Sequence, residues 1–159
     1  MVLWSLIVVL IIAVDQLSKY WVVNNIGMSD SISVIPKVID FVYVKNTGAA
    51  FSFLSDKNYG IVILSCISIL FCVGVILFMI KKRPEHQLLN ISLAFMLAGA
   101  VGNAIDRIAK GYVVDFIEMI FIDFPVINVA DIAITFGAVM IIIYVLFFEK
   151  SKTDEKQER

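Results

Sequence analysis

Four long apolar segments limit what this sequence can fold into. They cover about residues 2–23, 59–80, 88–108 and 126–148. Each can cross roughly 30 Å of hydrocarbon as an α-helix, which needs about 20 apolar residues. Hydrophobic residues make up 60% of the 159-residue chain, above the share that is usual in soluble domains. We therefore predict an all-α membrane protein with four transmembrane helices in a single domain, residues 1–148.

Cationic residues predict the orientation of these helices. A Lys-Lys-Arg run at 81–83 follows the second segment, and the charged tail at 149–159 carries four more cations. The positive-inside rule places both in the cytoplasm, together with the N-terminus. We therefore expect both termini to be cytoplasmic, and the tail to be disordered because it lacks apolar residues. Four lysines on the opposite side make the bias moderate: Lys37, Lys45, Lys57 and Lys110.

The first outer loop predicts a small extracytoplasmic β-element. Residues 32–44 (ISVIPKVIDFVYV) are rich in β-branched and aromatic residues, and the turn signal Pro36-Lys37 interrupts them. This pattern favours a β-hairpin at the membrane surface. Residues 113–126 also look extended. Pro125 near their end predicts the start of the fourth helix, because proline suits the first helical position.

Several ionisable side chains fall within the apolar segments. Each costs roughly 2.5–3.5 kcal/mol at a helix centre on insertion scales, so each calls for a partner or a function. All lie towards the ends predicted to be outside, where Asn46 and Asp115 from the outer loops could join them. They are Asp15, Lys19, Asp106, Arg107 and Asp131.

Two polar pairs have the spacing of one helical turn. For Asp15 and Lys19 the simplest interpretation is an intrahelical ion pair, with Lys19 extended towards the headgroups. Such a pair would support a site without taking part in it. Asn103 and Arg107 share a face of the third helix, where Gly102 permits close packing. Packing explains the glycine but not the two polar side chains.

Asp115 and Asp131 are the candidate catalytic pair. Neither has a cation three or four residues away. Each could instead merely cap or solvate a helix end, as Asp131 would if it lay in a first turn. Two carboxylates close together in a partly dry site can share one proton, because both cannot ionise easily. One member then takes a proton from attacking water while the other polarises the peptide carbonyl.

The sequence lacks the residues that other common catalytic and binding sites require. His86 is the only histidine and lies in the predicted cytoplasmic loop, so neither a Ser-His-Asp triad nor an H-E-x-x-H zinc site can form. Ser18 and Lys19 point to different helix faces, which argues against a Ser-Lys dyad. The net charge is −1 and there is no long basic run, so the sequence does not indicate a basic surface that binds nucleic acid. We expect no metal and no cofactor.

Five motifs follow one another along the chain. They are DQLSK (15–19), NTGAAF (46–51), GNAIDR (102–107), VVDF (113–116) and FPVINVAD (124–131). In order and spacing they resemble the motifs of bacterial lipoprotein signal peptidases, the signal peptidase II family. The resemblance covers nearly the whole chain, and five motifs in order with four spans are highly specific.

The resemblance implies a membrane aspartyl endopeptidase. Such an enzyme removes signal peptides from prolipoproteins by cleaving just before a cysteine that already bears diacylglycerol. The aspartates that match Asp115 and Asp131 are catalytic in that family, and no metal is used. The residues that line or support the site match Asp15, Lys19, Asn46, Gly102, Asn103, Arg107, Asn128 and Ala130.

The resemblance also implies a cellular setting. It places the protein in the bacterial cytoplasmic membrane, in contact with membrane lipids, with its active site near the extracytoplasmic face and a small β-element there. It further implies inhibition by the cyclic peptide antibiotic globomycin.

Two other classes of function remain open. A small transporter or channel would use Asp15, Asp106 and Asp131 as a proton or cation pathway. Carriers usually have repeated halves and polar groups near the bilayer midplane, whereas this sequence has no repeat and its charges gather towards one face. A noncatalytic membrane assembly factor is the other class, and it would have no use for a cluster of asparagines and aspartates.

Overall fold

The computed structural model describes residues 2–48 and 60–149, and its long helices confirm the predicted four-helix membrane fold. All of them are long and apolar enough to cross a membrane. The last helix continues into a π-helical turn, Val145–Glu149, so Glu149 belongs to the helix and not to the tail. The helices are α1 (Val2–Asn25), α2 (Gly60–Lys82), α3 (Gln87–Lys110) and α4 (Val129–Tyr144).

Some predicted features lie outside the described residues. They are the tail at 150–159, residues 49–51 of the NTGAAF motif, Lys57, and residue 59 at the start of the second predicted span.

α3 is the central helix and packs against the other three helices. In its apolar stretch 61% of the residues are buried, against 17% or fewer in the other helices. A helix that its neighbours shield from lipid can carry polar side chains at a lower free-energy cost. This burial explains why α3 is also the least hydrophobic of the four spans.

Glycines allow α3 and α4 to approach closely. A Cβ atom on Gly99 would collide with the Ala130 carbonyl oxygen, at the start of α4. On the α4 side, a Cβ atom on Gly137 would lie 2.7 Å from the Ser92 carbonyl oxygen. Glycine at both positions lets the two helix backbones come into contact. The first turn of α4 therefore packs directly against α3.

A small antiparallel sheet, in the order β1-β2-β3, confirms the predicted β-element. The predicted hairpin forms its first two strands, and Lys37 in the turn takes a positive φ of 64°. The strands are β1 (Ser31–Ile35), β2 (Ile39–Asn46) and β3 (Val113–Met119).

The register of the sheet brings two distant polar residues together. Asn46 pairs with Val113, and Val44 pairs with Asp115. Because side chains alternate between the two faces of a sheet, Asn46 and Asp115 lie on the same face as diagonal neighbours. A buried cluster of Val22, Ile26, Val114 and Phe116 seats this part of the sheet on the end of α1.

The prediction that Pro125 starts the fourth helix is wrong. Ile127 exchanges backbone hydrogen bonds of 2.8 and 3.0 Å with Ile117, so the chain is still extended there. Asn128 is the N-cap of α4, and it forms a capping box with Asp131. The helix begins at Val129 because the cap satisfies backbone donors that proline at the earlier position would have left unpaired.

Candidate active site

Asn128 joins the two candidate aspartates, which come from different elements. Asp115 lies in β3 and is 3% exposed, whereas Asp131 lies in the first turn of α4. The Asn128 side-chain amide donates a hydrogen bond of 2.6 Å to Asp115 Oδ1. Its backbone N–H donates a bond of 3.2 Å to Asp131 Oδ2. One residue therefore holds both carboxyl groups in the same site.

Two further asparagines hold the other oxygens of the pair. Asn46 Nδ2 donates to Asp115 Oδ2 at 2.8 Å, and Asn103 Nδ2 donates to Asp131 Oδ1 at 2.8 Å. All four carboxylate oxygens thus accept an N–H from an amide group. Hydrogen bonds to the ionised form favour it, and bonds to both oxygens of a carboxylate also restrict its rotation.

Lys19 is fully buried beneath this pair, so the expectation that it extends to the headgroups is wrong. Its ammonium does form the predicted pair with Asp15 at 2.9 Å, and it also lies 3.2 Å from Asp106. It donates a third bond of 3.0 Å to Asn103 Oδ1. Three acceptors inside the protein replace water around the ammonium, which makes burial tolerable.

The Lys19 ammonium also determines how the side-chain amides of Asn103 and Asn128 are oriented. An ammonium has donors only, so Asn103 must turn its oxygen towards Lys19 and its Nδ2 towards Asp131. The same Asn103 oxygen accepts a 3.2 Å bond from Asn128 Nδ2. Asn128 therefore presents its own oxygen to the Asp131 backbone N–H, at 3.0 Å. Lys19 thus orients two of the asparagines that hold the candidate pair.

Asp15 and Gly102 support the first turn of α4. Asp15 Oδ1 accepts a 2.9 Å bond from the Ala130 backbone N–H, one residue before Asp131. A Cβ atom on Gly102 would lie only 2.7 Å from Asp15 Oδ2 and 3.3 Å from Ala130 Cβ. Glycine at 102 therefore leaves the space in which α1, α3 and α4 meet.

Asp106 supports the strand that carries Asp115, a role that the sequence did not reveal. Its Oδ2 accepts a 3.1 Å bond from the Val114 backbone N–H, and its Oδ1 accepts 2.9 Å from Lys110. The spacing of Asp106 and Lys110 at i and i+4 was the one sequence signal for this role.

Gln16 is a second supporting residue that the sequence did not reveal. Its side-chain amide donates a 3.0 Å hydrogen bond to Asp15.

Arg107 is a cation beside the candidate pair. Its guanidinium interacts electrostatically with Asp131 and Asp115. Its Nε atom is buried and has no hydrogen-bond partner among residues 2–48 and 60–149. A positive charge at this place stabilises an ionised carboxylate nearby.

Burial dominates the electrostatics of Asp115. It raises the pKa of this carboxyl group from 3.8 to about 6, because a poorly solvated site disfavours the charged form. Hydrogen bonds from Asn46 and Asn128 oppose the rise, the Asp131 charge adds to it, and Lys19 opposes it. Asp115 can therefore hold a proton at a pH where an ordinary aspartate is ionised.

The described part of the chain shows no cluster of three or more His, Cys, Asp or Glu side chains that could hold a metal ion. The carboxylates of the site are instead bonded to amides and to Lys19. The arrangement fits proton transfer by a carboxyl pair. The polar groups lie in the half of the bundle that carries the sheet, where α1 and α3 end and α4 begins.

Two solved structures are similar to this one in fold. The first is described as a bacterial membrane enzyme determined by the in meso method at 2.3 Å resolution. It has a TM-score of 0.87 at 34% sequence identity, and the match covers 100% of this chain and 94% of the other. A second structure with the same description, at 1.9 Å resolution, has a TM-score of 0.84 at 35% identity and covers 93% and 95%.

Sequence relatives cover almost the full length of the chain. The lipoprotein signal peptidase of Enterococcus faecalis is 36% identical over 98% of this chain and 95% of its own. That of Latilactobacillus sakei is 42% identical over 97% of this chain and 100% of its own. The family model described as signal peptidase (SPase) II matches residues 7–147. This chain therefore belongs to the signal peptidase II family.

Proposed function

We propose that this chain is an aspartic endopeptidase that removes signal peptides from diacylglyceryl-modified prolipoproteins, cleaving just before the lipidated cysteine. Membership in the signal peptidase II family supports the general part of this proposal, a bacterial membrane peptidase that processes lipoproteins. One observation carries the aspartic mechanism. Asn128 is hydrogen-bonded to both Asp115 and Asp131, the two carboxyl groups that the sequence singled out.

The chemistry follows from one proton held by the pair. The ionised carboxylate takes a proton from a water molecule as the water oxygen attacks the peptide carbonyl carbon. The protonated carboxyl group polarises the carbonyl oxygen, and a proton then passes to the departing amine. Asn46, Asn103 and Asn128 keep both carboxyl groups in place while their charges change, because each is bonded to at least one of them.

The remaining site residues position this pair. Asp15 and Lys19 hold the start of α4 and orient Asn103, Gly102 and Ala130 provide the close contact between helices, and Arg107 stabilises negative charge. No metal or other cofactor takes part in this mechanism.

The location of the pair suits a lipidated substrate. The proposed orientation has both termini and the tail in the cytoplasm, so the sheet and the pair lie near the extracytoplasmic face. A signal helix and its diacylglyceryl chains can then stay in lipid while the scissile bond meets water. Lateral entry avoids extracting the acyl chains, whose burial is worth about 0.8 kcal/mol per CH₂. Globomycin-type cyclic peptides would compete for this lateral entrance.

A gel-shift assay of a diacylglyceryl prolipoprotein with the purified protein in bilayers tests the proposal. Asp115→Asn and Asp131→Asn should each abolish cleavage, because the amide keeps the volume of the side chain but cannot transfer the proton. Both variants should keep the thermal unfolding temperature close to that of the parent. Asp123→Asn is the matched control, since Asp123 is an exposed aspartate close to β3, and it should cleave normally. Substantial turnover by either dyad variant removes that residue from the mechanism.

A further inference from the structure

A groove lies at the end of the helix bundle opposite the aspartates. It has a volume of about 660 Å³ and is formed by the beginning of α1, the end of α2 and the beginning of α3. This volume falls within the range of roughly 300–1,000 Å³ that is usual for small-molecule sites. Its walls are mainly apolar, with Trp4, Val8, Ile76 and Leu97 among them. Apolar walls inside a membrane span suit a hydrocarbon chain.

A cation, Arg83, is among the residues that line this mainly apolar groove. Arg83 follows the last residue of α2 and is exposed. Lys81 and Lys82 precede it and are exposed. A guanidinium group presents a planar set of donors that binds phosphate oxygens in pairs. The groove therefore combines hydrocarbon walls with a phosphate-binding group at its mouth.

The backbone holds Arg83 in a conformation that arginine rarely adopts. Its φ is +43°, and its N–H donates a 3.2 Å hydrogen bond to the Met79 carbonyl oxygen, which closes the end of α2. Glycine is the usual residue at such a left-handed helix end, because a Cβ atom is disfavoured there. Arginine at this position is strained, and a strained residue at a cleft points to a use for its side chain.

The loop after Arg83 is also fixed in place. Asn90, a buried residue that lines the groove, donates hydrogen bonds to the Pro84 carbonyl oxygen at 2.6 Å and to the His86 carbonyl oxygen at 3.2 Å. These bonds tie the α2–α3 loop to the beginning of α3. The cation at the mouth of the groove is therefore carried by an ordered backbone, which lowers the entropy cost of binding.

We propose that this groove binds one anionic glycerophospholipid, with its phosphate on Arg83 and one acyl chain between α1 and α2. Charge distinguishes this occupant from a signal peptide helix. Signal peptides have a cationic region before their apolar stretch, and the three cations at 81–83 would repel it. An anionic lipid is not repelled in this way, and of the three cations Arg83 lines the groove and can bind its phosphate. The site is separate from the aspartates, since Asn90 and Asn103 are about 20 Å apart along α3.

The two tryptophans of the chain allow a direct test. Trp4 lines the groove, whereas Trp21 is 44% exposed and lies about 25 Å further along α1. In the Trp21→Phe protein, fluorescence reports on Trp4 alone. The probes are phosphatidylglycerol and phosphatidylcholine with identical brominated acyl chains, each at a low mole fraction in nanodiscs. Brominated chains quench a tryptophan that they touch, and this readout does not depend on cleavage activity.

We expect brominated phosphatidylglycerol to quench Trp4 at a mole fraction at least threefold lower than brominated phosphatidylcholine. Arg83→Gln should bring this ratio close to one. Lys82→Gln, the matched control, removes the same charge one residue away and should change the ratio little. Val8→Phe, which narrows the groove, should weaken quenching by phosphatidylglycerol. The Trp4→Phe protein, which reports on Trp21, should show a ratio close to one.

Three outcomes would overturn the proposal. Equal quenching of Trp4 by the two lipids would mean that the groove does not select an anionic headgroup. Equal effects of Arg83→Gln and Lys82→Gln would mean that general surface attraction is the cause. Displacement of the lipid from Trp4 by a synthetic signal peptide would assign the groove to the substrate.

Discussion

Replacing Asn46 with alanine should move the alkaline limit of activity to higher pH. Asn46 donates a 2.8 Å hydrogen bond to Asp115, and this bond lowers the pKa of Asp115 because it favours the ionised form. Burial still keeps that pKa at about 6. Without the Asn46 amide the pKa should rise further, so the carboxyl pair keeps its proton to a higher pH.

The size of the shift follows from the bond that is lost. A hydrogen bond to a charged group contributes about 1.5–3 kcal/mol, and one pKa unit corresponds to about 1.36 kcal/mol. Loss of the full bond would therefore raise the pKa of Asp115 by about one to two pKa units. Asn46 is half-buried, so water replaces part of the bond and the lower figure applies. We expect the pKa of Asp115 to move from about 6 to about 7.

The measurement is kcat/KM for a fluorogenic diacylglyceryl peptide across the pH range in which the protein stays folded. The pH dependence of kcat/KM reports the free enzyme, and that of kcat reports the complex with substrate. The parent should give a bell whose alkaline limb in kcat/KM lies near pH 6, the pKa of Asp115. The limb in kcat should lie higher, because the bound substrate excludes water from the site.

Asn24→Ala is the control for this experiment. The Asn24 side chain is exposed and bonds to the Tyr20 carbonyl oxygen, so its loss should leave the profile unchanged. Asn46 also accepts a bond from the Gly48 N–H, and loss of this contact should lower kcat without moving the limb. An alkaline limb that stays in place or moves to lower pH in Asn46→Ala would refute the role of this bond. A parent profile with no alkaline fall would refute the shared proton itself.

Three further predictions concern metals, packing and the buried ammonium. Strong chelators should leave cleavage of the prolipoprotein unchanged, and loss of activity with recovery on adding a divalent ion would overturn the aspartic mechanism. Gly99→Ala should lower activity at least tenfold in the gel-shift assay, because the new methyl group pushes against the Ala130 carbonyl oxygen. Gly74→Ala in α2 should cleave normally, because no atom of the described residues outside the neighbouring helix backbone lies within 4 Å of the added Cβ. Lys19→Met should lower the free energy of unfolding by about 3–5 kcal/mol, as breaking a buried ion pair does, and equal thermal stability in bilayers would contradict the network around Asn103.

The spans and the grouping of polar residues could be predicted because a membrane imposes simple rules. Each apolar segment had to become a helix, since lipid cannot satisfy backbone hydrogen bonds. Alternating helix directions then brought Lys19, Asn103 and Asp131 into one half of the bundle. The register between β2 and β3 could not be predicted in this way. It depends on pairing across residues 47–112, and it is what places Asn46 beside Asp115.

The burial of Lys19 could not be predicted from the sequence either. A lysine one turn after an aspartate looks like an isolated surface pair, and long cationic side chains commonly extend to the interface. Burial becomes favourable only when Asp106 and Asn103, more than 80 residues away in the chain, supply acceptors for the same ammonium. A contact of this kind depends on the packing of α1 on α3, which no local pattern encodes.

Asp131 shows that capping a helix and belonging to a candidate catalytic pair are compatible. The sequence posed these as alternatives, yet the capping box is present and occupies only Asp131 Oδ2. Oδ1 is left for Asn103, and the capping Asn128 keeps its Nδ2 for Asp115. Had the helix begun near Pro125, Asp131 would lie in the second turn, where no unpaired N–H is available to orient it. The later start of α4 is therefore what joins the two aspartates, because it makes one asparagine both the helix cap and the bridge.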